Sequence, residues 1–234
     1  KHDFTIYSGG LGVLAADYLY EAYDHKYPIL GIGLLYGYSY IQEINDEGRQ
    51  VEKHIALNPD DYNLTLMTDE NDIPIMIEVP IDDRMVKVQA RLLTNNEIHL
   101  LLLDTNIPEN SPQDRNITDE LYSGDKKHRL EQEIILGIGG VKMLHALELS
   151  PYTLHMNEGH AGFLAFEQIT WLMKLNGLPF EIALRETQDS IVFTNHTLIA
   201  AGNDMFEISM VKQALDKYAR TNSLDLDILI EIGK

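Results

Sequence analysis

Residues 152 to 197 read YTLHMNEGHAGFLAFEQITWLMKLNGLPFEIALRETQDSIVFTNHT, and the order of elements in them decides the fold class. YTLHM (152–156) is a short strand. EGHAGFLAFEQITWLMKLNG (158–177) carries apolar residues at helical spacing and stops at a glycine. PFEIALRETQD (179–189) is a second helix and SIVFTNHT (190–197) a second strand. Strand and helix alternating in this way argue for an α/β architecture with a largely parallel sheet.

The pattern extends outward on both sides. HRLEQEIILGIGGVKMLHALEL (128–149) reads as one long helix, with apolar residues at Leu130, Ile134, Ile138, Val141 and Leu144. Further helices follow at about 206–221 and 226–231. Near the start, Leu11, Leu14, Ala15, Tyr18, Leu19 and Ala22 make an amphipathic helix directly after Gly9, Gly10 and Gly12. YPILGIGLLY (27–36) is a buried strand. Residues 38–104 read as a β-rich excursion: YSYIQEI and RQVEKHI form a hairpin around NDEG, and IPIMIEVPI, RMVKVQARLL and EIHLLLLD are three more strands. A loop rich in Pro, Asn and Asp runs from about Thr105 to Asp125.

The 234 residues, 44% of them hydrophobic, are enough for one large domain or two small ones. A formal net charge of -19 argues against nucleic acid and against anionic membrane surfaces as partners. With no cysteine there are no disulfides and no thiolate chemistry, which fits a cytoplasmic setting. No apolar run is long enough to span a bilayer, and KHDFTIYSGG is no signal peptide. The chain begins abruptly, as if cut from a longer one.

Three clusters carry chemistry. The first is GGLG (9–12) opening a helix. The first amides of a helix have no internal partner and carry partial positive charge, and glycines let an anion or a sugar reach them. A tight turn with close packing is the structural alternative. The second is HMNEGHAGF (155–163), where Asn157, Glu158 and His160 sit at a strand's carboxyl end, the place where ligands gather in open α/β sheets. Sugar hydroxyls suit them. His155, Glu158 and His160 are potential metal ligands, but their spacing is not a common zinc signature and no metal site is expected. Asn157 or Glu158 capping the helix is the structural alternative. The third is FTNHTLIAAGND (193–204), with Asn195, His196 and Thr197 at the end of another strand. No serine or cysteine nucleophile accompanies His196, so it is not part of a triad. Arg129 and Glu133 are read as an i,i+4 ion pair, and the IGGV glycines (138–141) as a close helix contact.

YSGGLGVLAADYL, GIGLLYGYSYIQEINDEGRQVE, LLLDTNIPEN, DRNITDELYSGD, RLEQEIILGIGGV, HMNEGHAGFLAFE and VFTNHT together resemble the α-glucan phosphorylases, in family order and over nearly the whole chain. The resemblance implies a GT-B glycosyltransferase fold, with residues 1–234 as its Rossmann-like N-terminal, glucan-binding domain and the β-rich insertion at about 38–104. It implies an enzyme that releases glucose 1-phosphate from α-1,4-glucan or maltodextrin with inorganic phosphate. By this resemblance Gly9, Gly10 and Leu11 present amides to phosphate and to the sugar undergoing transfer, together with Thr197. Asn157, Glu158 and His160 line the glucan channel. The backbone carbonyl of His196 faces the reacting glucose, and its side chain binds a sugar hydroxyl. Pyridoxal phosphate belongs to a C-terminal domain, on a lysine in a segment like EASGTSNMK that has no counterpart here. The chain alone is therefore expected to be inactive, to need that missing domain as partner, and to be capable of self-association. The family's usual HTPVPAGHD stands here as HTLIAAGND, with Leu198 and Ala200 in place of prolines and Asn203 in place of a histidine, so a looser loop is expected after His196.

Two other functions are compatible with parts of the sequence. A glycogen or starch synthase also has a GGLG loop, but its loop typically follows a lysine as in KTGGLGD, whereas Ser8 precedes Gly9 here, and its histidine motif is closer to TIHN than to TNHT. A non-catalytic carbohydrate-binding module is the other alternative.

Overall fold

A computed structural model describes residues 4, 6–7, 9–95, 98–121, 124–197 and 205–233. In chain order its elements are α1 (Gly10–Asp24), β1 (Gly31–Leu34), β2 (Tyr38–Ile44), β3 (Gln50–Ala56), β4 (Leu64–Leu66), β5 (Met76–Ile81), β6 (Arg84–Asn95), β7 (Ile98–Asp104), α2 (Pro112–Arg115), α3 (Lys126–Ile134), α4 (Gly140–Ala146), β8 (Leu154–Asn157), α5 (Leu164–Asn176), α6 (Phe180–Ser190), β9 (Ile191–Thr194), α7 (Ile208–Thr221) and α8 (Leu226–Ile232). The chain divides into two compact units, residues 1–75 with 89–123 and residues 76–88 with 124–234.

The first unit is built on the sheet order β1-β7-β6-β4. β1 and β7 are parallel, with Gly31 opposite Leu100 and Leu34 opposite Leu103. β6 runs antiparallel to both β7 and β4. The sheet is therefore mixed, and β7, read from sequence within the β-rich region, is the direct neighbour of β1. The LLLL run of β7 explains this position: Leu101, Leu102 and Leu103 are all buried, as a strand covered on both faces requires. Leu35, Leu64 and Leu102 form a core joined by Phe4, Ile6, Leu57 and Tyr62. Each such side chain contributes about 1.5–3 kcal/mol when fully buried.

β2 and β3 pair as a separate antiparallel hairpin. Its turn is set by Asn45, whose Oδ1 accepts from the amides of Glu47 and Arg49, with Gly48 at φ 75°. The stretch read as a loop after Thr105 contains α2, capped by the Ser111 hydroxyl with Pro112 in the first turn. The hydroxyls of Thr105 and Thr118 meet at 3.0 Å beneath it. Short capped turns of this kind have no periodicity for sequence to reveal.

In the second unit β5 pairs with β6 through a turn at Asp82 (φ 50°). β8 and β9 are parallel, with Leu154 opposite Ile191 and Asn157 opposite Thr194, as the strand–helix–helix–strand order implied. The helix expected over 128–149 is not uniformly α. α3 passes into a π-helical turn, Ile135–Gly139, before α4 begins. Within this turn is Gly137, where a Cβ would lie 2.7 Å from the Leu164 amide nitrogen and 2.9 Å from the Phe163 carbonyl carbon. Of the glycines read as a close contact, Gly139 has ordinary room, its nearest neighbour being Val79 Cγ2 at 3.5 Å. The tight approach is thus two residues earlier than expected, and it seats the start of α5. Ile134, Ile135, Ile138, Met143, Ile169 and Tyr218 are fully buried around it.

α5 and α7 are joined by a buried polar chain. The Tyr218 hydroxyl donates to Glu167 Oε2 at 2.9 Å and lies 2.8 Å from Thr170 Oγ1, which is also 2.8 Å from the Phe166 carbonyl. Burial pushes the Glu167 carboxyl up from its ordinary value, against the pull of Lys142, Tyr218 and Lys174. The Tyr218 hydroxyl is likewise raised, by burial and by Glu167.

Candidate functional site

The glycine loop belongs to the first unit. Gly9 takes φ 70°, a left-handed conformation that a side chain would strain, and it precedes α1 with no side-chain cap. Among the described residues a Cβ at Gly9 or Gly10 would meet nothing within 4 Å, and no side chain caps the first turn of this 15-residue helix. A Cβ at Gly12 would run into the ring of Tyr7. Gly12 is therefore a packing glycine, while Gly9 and Gly10 are not. Leu11 is half-buried.

The remaining candidates belong to the second unit, at the carboxyl ends of β8 and β9. The Glu158 amide donates to the Thr194 carbonyl at 2.9 Å, extending the parallel ladder past Asn157. At φ 60° and ψ -176° Glu158 occupies a region that is nearly glycine's own. Its side chain is only 1% exposed, and it does not cap the helix that follows. It turns instead to the other strand end. Oε1 accepts from the His196 amide at 2.7 Å and lies 3.4 Å from both Thr197 Oγ1 and His196 Nδ1. The His196 amide is the main reason the carboxyl is held below its ordinary value; burial opposes this, and Thr197 and the His196 ring reinforce it.

Glu158, His196 and Thr197 are thus brought into one cluster. Asn157 is its neighbour in the chain. Two buried oxygens here, Asn157 Oδ1 and Glu158 Oε2, have no hydrogen-bond partner among the described residues. His160 is held on another side: its Nδ1 lies 3.6 Å from Glu133 Oε1 of α3. Sequence reading placed Glu133 in a helix-surface pair with Arg129 and gave it no part here; a carboxylate one turn before the glycine-rich segment was the only signal. The sequence pattern gives Asn195 no role of its own, yet its Oδ1 accepts from the Thr197 amide at 2.9 Å. His155 meets Thr194 Oγ1 at 2.7 Å across the strands. Leu198, Ala200 and Asn203 lie outside the described residues, so the expected looser loop does too.

Among the described residues no group of three His, Asp or Glu is placed to hold a metal ion. Among them, too, no helix is long and apolar enough to cross a membrane.

No family model matches the chain. Over 230 residues, 98% of its length, it is 42% identical to the maltodextrin phosphorylase of Thermococcus litoralis. The chain is related to the α-glucan phosphorylases. It is also 44% identical over 215 residues to a glycogen phosphorylase of Mycobacterium tuberculosis, and 30% identical over 233 residues to one from Aquifex aeolicus. The phosphorylase relatives are much longer: the chain spans 27%, 25% and 34% of these three. In fold it is similar to the catalytic domain of starch synthase IV from Arabidopsis thaliana, solved with ADP and acarbose, with a TM-score of 0.56 at 13% identity, over 98% of this chain and 37% of that one. At that identity the likeness is one of architecture: the α/β class that the alternation of elements implied, in the Rossmann-like GT-B form that the phosphorylase resemblance implied.

Proposed function

We propose that this chain is the N-terminal, glucan-binding part of an α-1,4-glucan phosphorylase, an enzyme of the cytoplasm that releases glucose 1-phosphate from glycogen or maltodextrin using inorganic phosphate. The observation that carries the reading is the 42% identity to a maltodextrin phosphorylase along 98% of the chain. The geometry supports it. A sugar is rich in hydroxyl donors, and two buried acceptors without partners among the described residues, Asn157 Oδ1 and Glu158 Oε2, suit such donors at a strand end. His160, steadied by Glu133, supplies a further polar group to the glucan. The uncapped amides at Gly9, Gly10 and Leu11 suit the phosphate and the sugar being transferred. The His196 carbonyl is a fixed dipole for positive charge developing on the reacting glucose, the kind of electrostatic stabilisation that lowers barriers most. The His196 side chain and Thr197 complete the sugar contacts.

Pyridoxal phosphate, which the phosphorylase reading implies, supplies a phosphate that relays a proton. It does not fit the lysine-bearing cleft of about 300 Å³ in the second unit: Lys127 there is bonded to Asp82, and Glu131 and Glu207 add carboxylates that would repel a phosphate. The phosphorylase reading assigns that group to a C-terminal partner domain.

The test is to supply the full-length protein that carries this chain with maltodextrin and phosphate, and separately with a nucleotide-activated glucose. Glucose 1-phosphate from the first mixture is the expected result. Glucan extension from the second alone would make the protein a synthase, and binding with neither reaction would make it a carbohydrate-binding module.

A further inference from the structure

Two peptide planes flank His196, and each is held by a different side chain. In a trans peptide the N–H and C=O point in opposite directions. The His196 amide is directed at Glu158 Oε1, 2.7 Å away, so the Asn195 carbonyl points away from Glu158. The Thr197 amide is directed at Asn195 Oδ1, 2.9 Å away, so the His196 carbonyl points away from the Asn195 side chain. The second bond is local and follows wherever the loop goes. The first spans 38 residues and ties the loop to the end of β8. Glu158 itself is anchored by its amide on the Thr194 carbonyl, and its strained backbone persists because neighbouring bonds over-determine it.

We infer that Glu158 is a positioning residue, whose buried carboxylate fixes the His196 peptide and imidazole relative to the sugar. This rests on the phosphorylase reading for what the His196 carbonyl faces. A second observation points the same way. Among the described residues Glu158 Oε2 is buried without a hydrogen-bond partner, although a buried acceptor left alone is costly. A purely structural brace would have both oxygens satisfied. One oxygen bonded to the loop and one left for a ligand hydroxyl places the carboxylate between scaffold and sugar.

The test uses Glu158→Ala and Glu158→Gln. In the full-length protein kcat and KM for maltodextrin are measured in phosphorolysis; in the 234-residue chain hydrogen exchange of the His196 amide is measured. For Glu158→Ala, kcat should fall about 100-fold, a larger change than the rise of about tenfold in KM expected from losing the Oε2 contact to the sugar. Exchange at His196 should quicken about tenfold or more, as the amide loses its acceptor. Glu158→Gln keeps an oxygen for the His196 amide, so protection should return and kcat should recover at least about tenfold over the alanine variant. A rise in KM with kcat intact would overturn the inference and make Glu158 a glucan ligand alone; so would unchanged exchange at His196. If the alanine variant does not fold, the glutamine variant decides: protection retained with kcat as low as about 1% of wild type overturns the inference. Absence of phosphorolysis by the wild-type full-length protein would defeat the proposed function instead, and exchange at His196 would then judge the positioning on its own.

Discussion

At Gly10 and Glu158 the same question has opposite answers. Among the described residues nothing fills the space where a Gly10 side chain would be, so Gly10→Val should leave the fold standing and set a branched side chain beside the uncapped helix start. In the full-length protein that substitution is expected to raise the phosphorolysis barrier by about 3 kcal/mol, the scale of one lost oxyanion-type donor, with an unchanged melting temperature. Unchanged turnover would leave the glycines as a turn. Gly9 differs, because its φ of 70° penalises any side chain; Gly9→Ala should cost stability by about 1 kcal/mol in a denaturant titration. Glu158 is crowded where Gly10 is open. The residues at these positions were legible from the sequence, because glycines at a helix start and polar groups at a strand end have a chemistry of their own. The direction of the Glu158 carboxylate was not legible. It depends on where a strand 38 residues away ends, and no local pattern encodes that.

At the scale of elements, the π-helical turn between α3 and α4 makes two nearby glycines separable. Gly137→Ala places a Cβ against the backbone of Phe163 and Leu164 and should destabilise by about 1–3 kcal/mol. Gly139→Ala meets only ordinary contacts and should be neutral or stabilising, by up to about 1 kcal/mol of helix propensity. Equal losses at both sites in a thermal melt would refute the account of the turn. Between α4 and α5 the His145 ring stacks on Trp171, with centroids 3.6 Å apart and planes 13° apart. Burial lowers the His145 imidazole to about 4. Since the unfolded chain takes up this proton near the ordinary value of about 6.5, the contribution to stability is lost as pH falls from there towards 4. The fluorescence of Trp171, the single tryptophan, should accordingly titrate with a midpoint near 4, and should not do so in His145→Leu. A midpoint at the ordinary histidine value would contradict the burial argument. Glu167 has the opposite sign. Its raised carboxyl favours the protonated folded form, so its contribution is full below the unfolded value and declines as pH rises through the folded one. The stability of Glu167→Gln relative to wild type should therefore increase from pH 4 to pH 7; a decrease would show that the charged carboxylate, not the neutral acid, is what the Tyr218 hydroxyl supports. Periodicity made the helices legible here, but the π turn, which holds the close approach of Gly137 to the start of α5, carries no periodic signal of its own.

For the molecule as a whole, the alternation over 152–197 was enough for the fold class, and the parallel pairing of β8 with β9 follows it. The mixed sheet of the first unit was less legible. Apolar runs such as LLLL identify a buried strand without identifying its neighbours, so the pairing of β7 with β1 could not be read off. The 3₁₀ turn at Pro59–Asp61 and α2 carry no periodic signal, because capping by Asn58 and Ser111 makes them. The phosphorylase reading also predicts that these 234 residues alone give no glucose 1-phosphate from maltodextrin, phosphate and pyridoxal phosphate, because charge in the transition state has to be met by groups fixed on both sides of a closed site. Turnover above a no-protein control, persisting after repurification, would mean that the reacting groups had been assigned to the wrong part of the enzyme. The most direct test of the central claim, that this chain carries the glucan-facing side of the site, is to titrate maltoheptaose into the isotope-labelled chain and follow its backbone amides by NMR. The account predicts weak, saturable shifts concentrated at Asn157–His160 and Asn195–Thr197, reduced in His160→Ala. Shifts confined to the β2–β3 hairpin, or none at saturating sugar while the full-length protein degrades maltodextrin, would contradict it.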